Sequence, residues 1–168
     1  AIPKKRAILM EDCRRIFSVI PSSKTECLAV DVCKMVLCLA GINVADLYVM
    51  KKVDYYDGIL HYKRQKTKSA RADEAYIEMR VPVMLLPTMT NYFADKDDPY
   101  LFNFHKSYGC SRSMDGNLCL FLKKFCVNTL KDSELKITPY TFRHTWATIA
   151  QNDIGANYEE IGFAMNHI

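Results

Sequence analysis

An arginine, Arg143, stands inside the segment TPYTFRHTWAT (138–148), whose pattern otherwise predicts a packed helix. Phe142, Trp146 and Ile149 recur at helical spacing and form its apolar stripe. Arg143 falls at the edge of that stripe, and it needs a partner because desolvating a lone charge is costly. Two interpretations are open: a buried ion pair with a carboxylate elsewhere in the chain, or a rigid arginine that meets an anion.

Positive charge is unevenly placed along the chain, with one run at Lys4, Lys5 and Arg6 and a denser one at 63–71. Five basic residues fall within nine positions: Lys63, Arg64, Lys66, Lys68 and Arg71. Such a run is typical of solvated surface, but it also offers contacts for phosphate groups. The formal net charge of +4 permits nucleic acid as a partner without requiring it.

The cysteines and histidines predict no metal site. Seven cysteines show no C-x-x-C spacing and four histidines show no H-E-x-x-H spacing, so neither a zinc site nor a disulfide framework is indicated. An odd, scattered set of cysteines indicates a reducing compartment, so we expect a cytoplasmic protein. No signal peptide is evident, and the longest apolar run, residues 35–42, is too short to span a bilayer.

The elements that would position these residues are mostly helices. Periodicity, caps and prolines predict helices over 8–20, 23–41, 46–50, a segment entered between 82 and 87 and ending near 93, 113–130, 139–151, and a last one beginning at 157. Residues 58–64 and 75–81 read as two strands around a long basic turn. The chain length and this pattern fit one α+β domain, mainly α, with a small antiparallel sheet.

Three separated motifs follow one another along the chain: QKTK in the basic turn, RHTWAT in the helix at 139–151, and MNH at 165–167. In this order they resemble the catalytic domain of tyrosine recombinases, the phage-integrase family, and especially integrases of bacterial mobile elements. The resemblance covers nearly all of residues 1–168, beginning at KKRAILMEDCRRIF. It implies a multi-helical catalytic core with a small antiparallel sheet.

The nucleophile and one whole domain of the family pattern have no counterpart in this sequence. None of the ten tyrosines occupies the place of the nucleophile, which in the family follows the second motif histidine. The family's separate N-terminal DNA-clamping domain is also unmatched. The resemblance therefore leads us to expect that residues 1–168 are a catalytic domain truncated before its nucleophilic tyrosine, and inactive by itself.

The resemblance assigns roles to four residues. Arg143 matches the arginine that binds non-bridging oxygens of the scissile phosphate, and Lys66 matches the turn lysine that protonates the leaving 5′-oxygen. His167 matches the second motif histidine, a donor to the phosphate. Tyr140 stands where the first motif histidine is usual, and its hydroxyl can donate a hydrogen bond but is no base near neutral pH. A solvated turn lysine, a helix-end histidine and an amphipathic aromatic are the ordinary alternatives for the last three.

The family's first arginine is missing. In the stretch Gly41–Leu47 an asparagine, Asn43, takes its place, so either another basic residue (Lys51 or Lys52) substitutes or the site is electrostatically weakened. Asp46 matches the acidic residue that supports the arginines. His144, on a more polar face of its helix, is expected to support the site rather than to react.

The resemblance implies site-specific recombination or integration of double-stranded DNA through a 3′-phosphotyrosyl intermediate. The covalent intermediate stores the bond energy, so no cofactor or metal is expected. The family enzymes act as homotetramers on paired sites, and the expected DNA contacts are Lys63, Arg64, Lys68 and Arg71. The alternative is a catalytically degenerate member that binds DNA or protein partners, which Asn43 and Tyr140 favour. A third interpretation is an unrelated helical interaction module that matches the motifs by chance.

Overall fold

The computed structural model describes residues 7–64 and 76–152 of the chain. The helices in these ranges are α1 (Met10–Ser18), α2 (Lys24–Cys38), α3 (Val44–Val49), α4 (Leu86–Thr90), α5 (Ser111–Lys124) and α6 (Pro139–Asn152). The strands are β1 (Tyr55–Tyr56), β2 (Ile59–Lys63) and β3 (Tyr76–Arg80). The predicted fold class is confirmed, because a mainly helical chain carries one small antiparallel sheet.

Helix α2 is the centre of the core. It begins at Ser23, whose hydroxyl accepts a hydrogen bond from the Glu26 N–H at 3.2 Å, as the sequence predicts. The Ser-x-x-Glu spacing of Ser23 and Glu26 predicts a capping box. The Glu26 carboxylate accepts from the N–H of Ser22 at 3.4 Å rather than from that of Ser23, so this box is only half formed. The second half of α2 is almost wholly buried, and α5 and α6 both pack against it.

The end of α2 brings the chain close to α6. Ala40 and Gly41 both take left-handed backbone angles, with φ of 58° and 70°. The Gly41 N–H donates to the Val36 carbonyl at 2.8 Å, which closes the helix. A Cβ atom at residue 41 would lie 3.2 Å from Cγ of Arg143 and 3.3 Å from a ring carbon of Trp146. Glycine avoids backbone strain at this angle, and its lack of a Cβ atom permits the close approach of α6.

The sheet has the order β1-β2-β3, with antiparallel neighbours. The sequence over 75–81 predicts that Ile77 and Met79 face one way and Tyr76, Glu78 and Arg80 the other. In β3 Met79 is buried and Ile77 half-buried, whereas Tyr76, Glu78 and Arg80 are exposed. This face selection follows from the period of two in a strand.

The short strand β1 was not predicted. It joins β2 through Asp57 and Gly58, whose φ angles of 56° and 73° suit a two-residue hairpin turn. The Asp-Gly pair is the sequence signal that identifies such a hairpin.

Other boundaries differ modestly from the prediction. Helix α1 ends at Ser18, so Ile20, which was predicted to lie on the apolar face of the helix over 8–20, is 87% exposed. Helix α5 ends at Lys124 and continues as a π-helical turn, Phe125–Thr129, within the predicted span. The helix predicted to begin at 157 lies outside the described residues.

Candidate nucleic-acid interface

Arg143 is half-buried on α6, and its guanidinium is held by backbone rather than by a carboxylate. Its Nη1 donates a hydrogen bond to the carbonyl oxygen of Gly41. Among the residues that the structure describes, no carboxylate forms an ion pair with Arg143. Within those residues, the arrangement fits a rigid arginine that meets an anion better than a buried ion pair.

The electrostatic surroundings leave the Arg143 charge only partly compensated. Burial lowers the pKa of Arg143 from its ordinary value of 12.5, and the nearby positive charge of Arg64 lowers it further. Tyr140 and Asp46 act in the opposite sense with smaller effect. An arginine still keeps its proton at neutral pH. A positive charge that is both desolvated and repelled gains from a bound anion.

A cavity of about 420 Å³ opens beside Arg143, where the α2–α3 connection meets the first turns of α5 and α6. Its lining residues are Val36, Ile42, Asn43, Val44, Ala45, Ser111, Arg112, Asp115, Pro139, Tyr140 and Arg143. Three predicted site residues thus meet in one place: Asn43, Tyr140 and Arg143. The cavity is concave, partly apolar and bordered by guanidinium groups, which suits the sugar and phosphate of a nucleic-acid backbone.

Tyr140 and His144 stand on neighbouring turns of α6 with different exposure. Tyr140 is 46% exposed, so its hydroxyl is within reach of a ligand in the cavity. His144 is less exposed and meets the Tyr140 ring edge-on, with centroids 4.5 Å apart. Its Nε2 atom is buried and has no hydrogen-bond partner in the described part of the chain. The supporting role of His144 remains a prediction.

Asp46 links the cavity to the basic end of β2. It is almost fully buried at 2% exposure, and its charge acts on Arg143. It also lines a second cavity of about 370 Å³, to which Lys63 at the end of β2 contributes. Arg64 follows directly, and its charge reaches Arg143. The fold therefore brings the start of the basic turn towards the arginine of α6.

Several predicted site residues lie outside the described ranges: Lys66, Lys68, Arg71 and His167. Their roles remain predictions. Of the two lysines considered as substitutes for the missing arginine, Lys52 is engaged elsewhere, because its ammonium donates to the carbonyls of Asp95 and Asp98. Lys51 is exposed and lines the second cavity.

Two residues of the site were missed by sequence reasoning. The sequence indicated Gly41 only as a helix end and as the glycine of the family stretch, yet its carbonyl oxygen accepts a hydrogen bond from Arg143. The sequence patterns did not indicate Arg112, although it lines the same cavity as the predicted site residues Asn43, Tyr140 and Arg143. The local sequence around Arg112 does not predict that it lines the cavity, because its position beside the cavity depends on how α5 packs.

The described ranges, 7–64 and 76–152, hold no helix that is long and apolar enough to cross a membrane. Within the same ranges, no group of three or more His, Cys, Asp or Glu side chains is placed to hold a metal ion.

Comparison with known proteins supports the fold rather than a close relationship. No protein-family model and no curated protein matches the sequence. Among solved structures, the crystal structure of XerA recombinase matches with a TM-score of 0.59 and 19% sequence identity. The match covers 96% of this chain and 56% of that one, so the chain spans about half the length of this neighbour. The chain thus has a recombinase-like fold.

Proposed function

We propose that this chain is the phosphate-binding core of a tyrosine recombinase or integrase of the bacterial mobile-element type, acting on double-stranded DNA in the cytoplasm. One observation carries the proposal. Arg143 is half-buried beside an open cavity, is oriented by the Gly41 carbonyl, is repelled by Arg64 and has no ion pair among the described residues. The recombinase-like fold supports the same conclusion.

In the proposed reaction, Arg143 binds the non-bridging oxygens of the scissile phosphate. A planar guanidinium can offer two parallel N–H donors, and these bonds strengthen as negative charge builds on the phosphate in the transition state. The hydrogen bond to Gly41 uses Nη1 and leaves other donors of the guanidinium for the phosphate. Because the side chain is already oriented, little reorganisation is needed when the reaction occurs.

Four further residues complete the proposed chemistry. A tyrosine beyond residue 168, in a longer form of the protein, attacks phosphorus and forms a 3′-phosphotyrosyl bond while the 5′-oxygen leaves. Lys66 supplies the proton to that oxygen, and His167 and Tyr140 donate hydrogen bonds to the phosphate. A 5′-hydroxyl from another strand then displaces the tyrosine. The phosphodiester bond energy is conserved throughout, so the proposed reaction uses neither ATP nor metal. The active assembly is proposed to be a homotetramer on paired sites.

A second candidate function is favoured by the composition of the cavity itself. Asn43 and Tyr140 both line it, at positions where the resemblance leads us to expect an arginine and a histidine. A degenerate member of the same fold would bind DNA or a protein partner here without cutting a strand.

Covalent trapping separates the two candidates. A form of the protein extended through the downstream tyrosine is incubated with a nicked recombination-site duplex, with and without EDTA, and resolved on a denaturing gel. The enzyme proposal predicts an EDTA-insensitive covalent complex with the extended form and none with residues 1–168. Duplex binding without any covalent complex would favour the degenerate member, and an EDTA-sensitive complex would overturn the proposed mechanism.

A further inference from the structure

The cavity beside Arg143 contains a second guanidinium that the proposed function does not use. Arg112 lies in the first turn of α5, is exposed to solvent and lines the same cavity as Arg143 and Asn43. Asn43 precedes α3, and its side chain makes no capping hydrogen bond to that helix. The two arginines and this amide therefore border one space from three different elements.

The charges and the size of this space suit a phosphodiester. Two guanidiniums stand against one carboxylate, Asp115, among the described lining residues, so positive charge is in excess. The volume of about 420 Å³ falls within the roughly 300–1,000 Å³ typical of ligand sites. Most of the remaining wall is apolar and comes from Val36, Ile42, Val44, Ala45 and Pro139. Such a wall can pack against a deoxyribose while the arginines bind the phosphate.

We propose that Arg112 and Arg143 bind one DNA phosphodiester unit in this cavity, so that Arg112 supplies from α5 the guanidinium that Asn43 does not supply from the α2–α3 connection. Two arginines can bind different oxygens of one phosphate, and each such contact is a charge-assisted hydrogen bond. The identity of the ligand as DNA rests on the proposed function. The two-arginine anion site itself rests only on the cavity.

The first measurement tests the anion site without DNA. Residues 1–168 are titrated with dimethyl phosphate, a small phosphodiester, while the side-chain Nε–Hε signals of arginine are followed by NMR. We expect the Arg112 and Arg143 signals to shift together with a single binding curve. An Arg112 signal that stays still while Arg143 shifts would overturn the proposal.

The second measurement tests the same site with duplex DNA by fluorescence anisotropy. Arg112→Ala is expected to weaken binding about ten-fold at low salt and to reduce the slope of log affinity against log salt by about 1. Arg14→Ala is the matched control, because it removes an exposed arginine from α1, outside the cavity. Equal effects of the two variants would overturn the proposal and leave the proposed function intact. Unchanged circular dichroism and melting temperature would confirm that each variant is folded.

Restoring an arginine at residue 43 provides a rescue test. Asn43→Arg is expected to recover most of the affinity lost in Arg112→Ala but to add little in the unmodified protein, because one guanidinium already serves the phosphate. A gain of equal size in both backgrounds would mean that the two positions act independently, against the proposal. If dimethyl phosphate shifts both arginine signals but no duplex binds even at low salt, the anion site stands and the proposed function fails.

Discussion

Two regions of this molecule contain clustered charged side chains, and they differ in whether those side chains are paired with groups of opposite charge. In the loop 95–106 two basic side chains meet carboxylates: Lys106 pairs with Asp95, and the His105 ring lies 2.6 Å from Asp98. These contacts lower the pKa of Asp95, chiefly through the hydrogen bond from Lys106. At the Arg143 cavity, the guanidinium bonds a backbone carbonyl and its pKa is lowered by burial and by another arginine.

The difference shows which charges are available to a partner. The Lys106–Asp95 and His105–Asp98 pairs satisfy their charges within the loop, and an exposed pair such as Lys106–Asp95 adds little to stability. The cavity holds positive charge that the described part of the chain does not neutralise, at a cost in desolvation. Burying an arginine without a paired carboxylate is unfavourable unless a ligand supplies the missing negative charge. The cavity, rather than the loop, is therefore the place to test for function.

The largest expected effect lies at Arg143. In the extended form, Arg143→Ala is expected to slow strand cleavage by about 10²–10³-fold, because the transition-state charge loses its main donor. Arg143→Lys should restore little of the cleavage rate, since an ammonium group cannot form the bidentate hydrogen bonds of a guanidinium. The measurement is the single-turnover rate of covalent complex formation.

Lys106→Ala, in the loop, is the control for Arg143→Ala, because it removes a positive charge that already has a partner. We expect the cleavage rate of Lys106→Ala to match that of the unmodified protein. Equal losses of cleavage rate in Arg143→Ala and Lys106→Ala would contradict the proposed difference between the Arg143 cavity and the loop 95–106.

The salt dependence of duplex binding should differ between a variant of the Arg143 cavity and a variant of the loop 95–106. Affinity is expected to fall about 10–100-fold between roughly 50 and 200 mM salt, because each phosphate contact releases counterions. Arg143→Ala should reduce the salt slope by about 1, whereas Lys106→Ala should leave the slope unchanged. Anisotropy titrations at several salt concentrations measure this, and a slope near zero would contradict DNA binding altogether.

Gly41→Ala tests how the cavity is built. The added methyl group meets Arg143 and Trp146, and the left-handed backbone is strained for alanine, so we expect a loss of about 1–2 kcal/mol in the free energy of unfolding. Gly116→Ala is the matched control, because its Cβ meets nothing within 4 Å and it lies inside α5. That change should stabilise the protein by about 0.5–1 kcal/mol. Denaturant melts of both variants measure the effect, and an unharmed Gly41→Ala would refute the packing described.

The smallest expected effect concerns the loop. The Tyr100 N–H and the His105 ring lower the pKa of Asp98 below its ordinary value of 3.8. A lowered carboxyl pKa contributes stability above the ordinary value, and that contribution is lost as the pH falls through the lowered one. The melting temperature of Asp98→Asn should therefore lie slightly below that of the unmodified protein at neutral pH and approach it at acid pH. A gap that persists unchanged under acid conditions would contradict the ionic contribution of the loop.

Local patterns in the sequence determined most of the secondary structure. The start of α2 at Ser23, the alternation in β3 and the helix at 139–151 were all predicted, because caps and periodicity act over a few residues. The half-buried position of Arg143 at the edge of its apolar stripe was predicted for the same reason. The recombinase-like fold followed from the motifs and their order.

Only the tertiary structure decided what surrounds Arg143. Its bond to the Gly41 carbonyl joins residues 102 positions apart, and Arg112 reaches the cavity because α5 packs against α2 and α3. No local propensity encodes such a meeting, since it depends on how whole helices pack together. The sequence by itself thus determined that an arginine would sit beside the core. The packing decided that the described residues around it would include a second arginine, a carbonyl and an open cavity rather than a carboxylate paired with it.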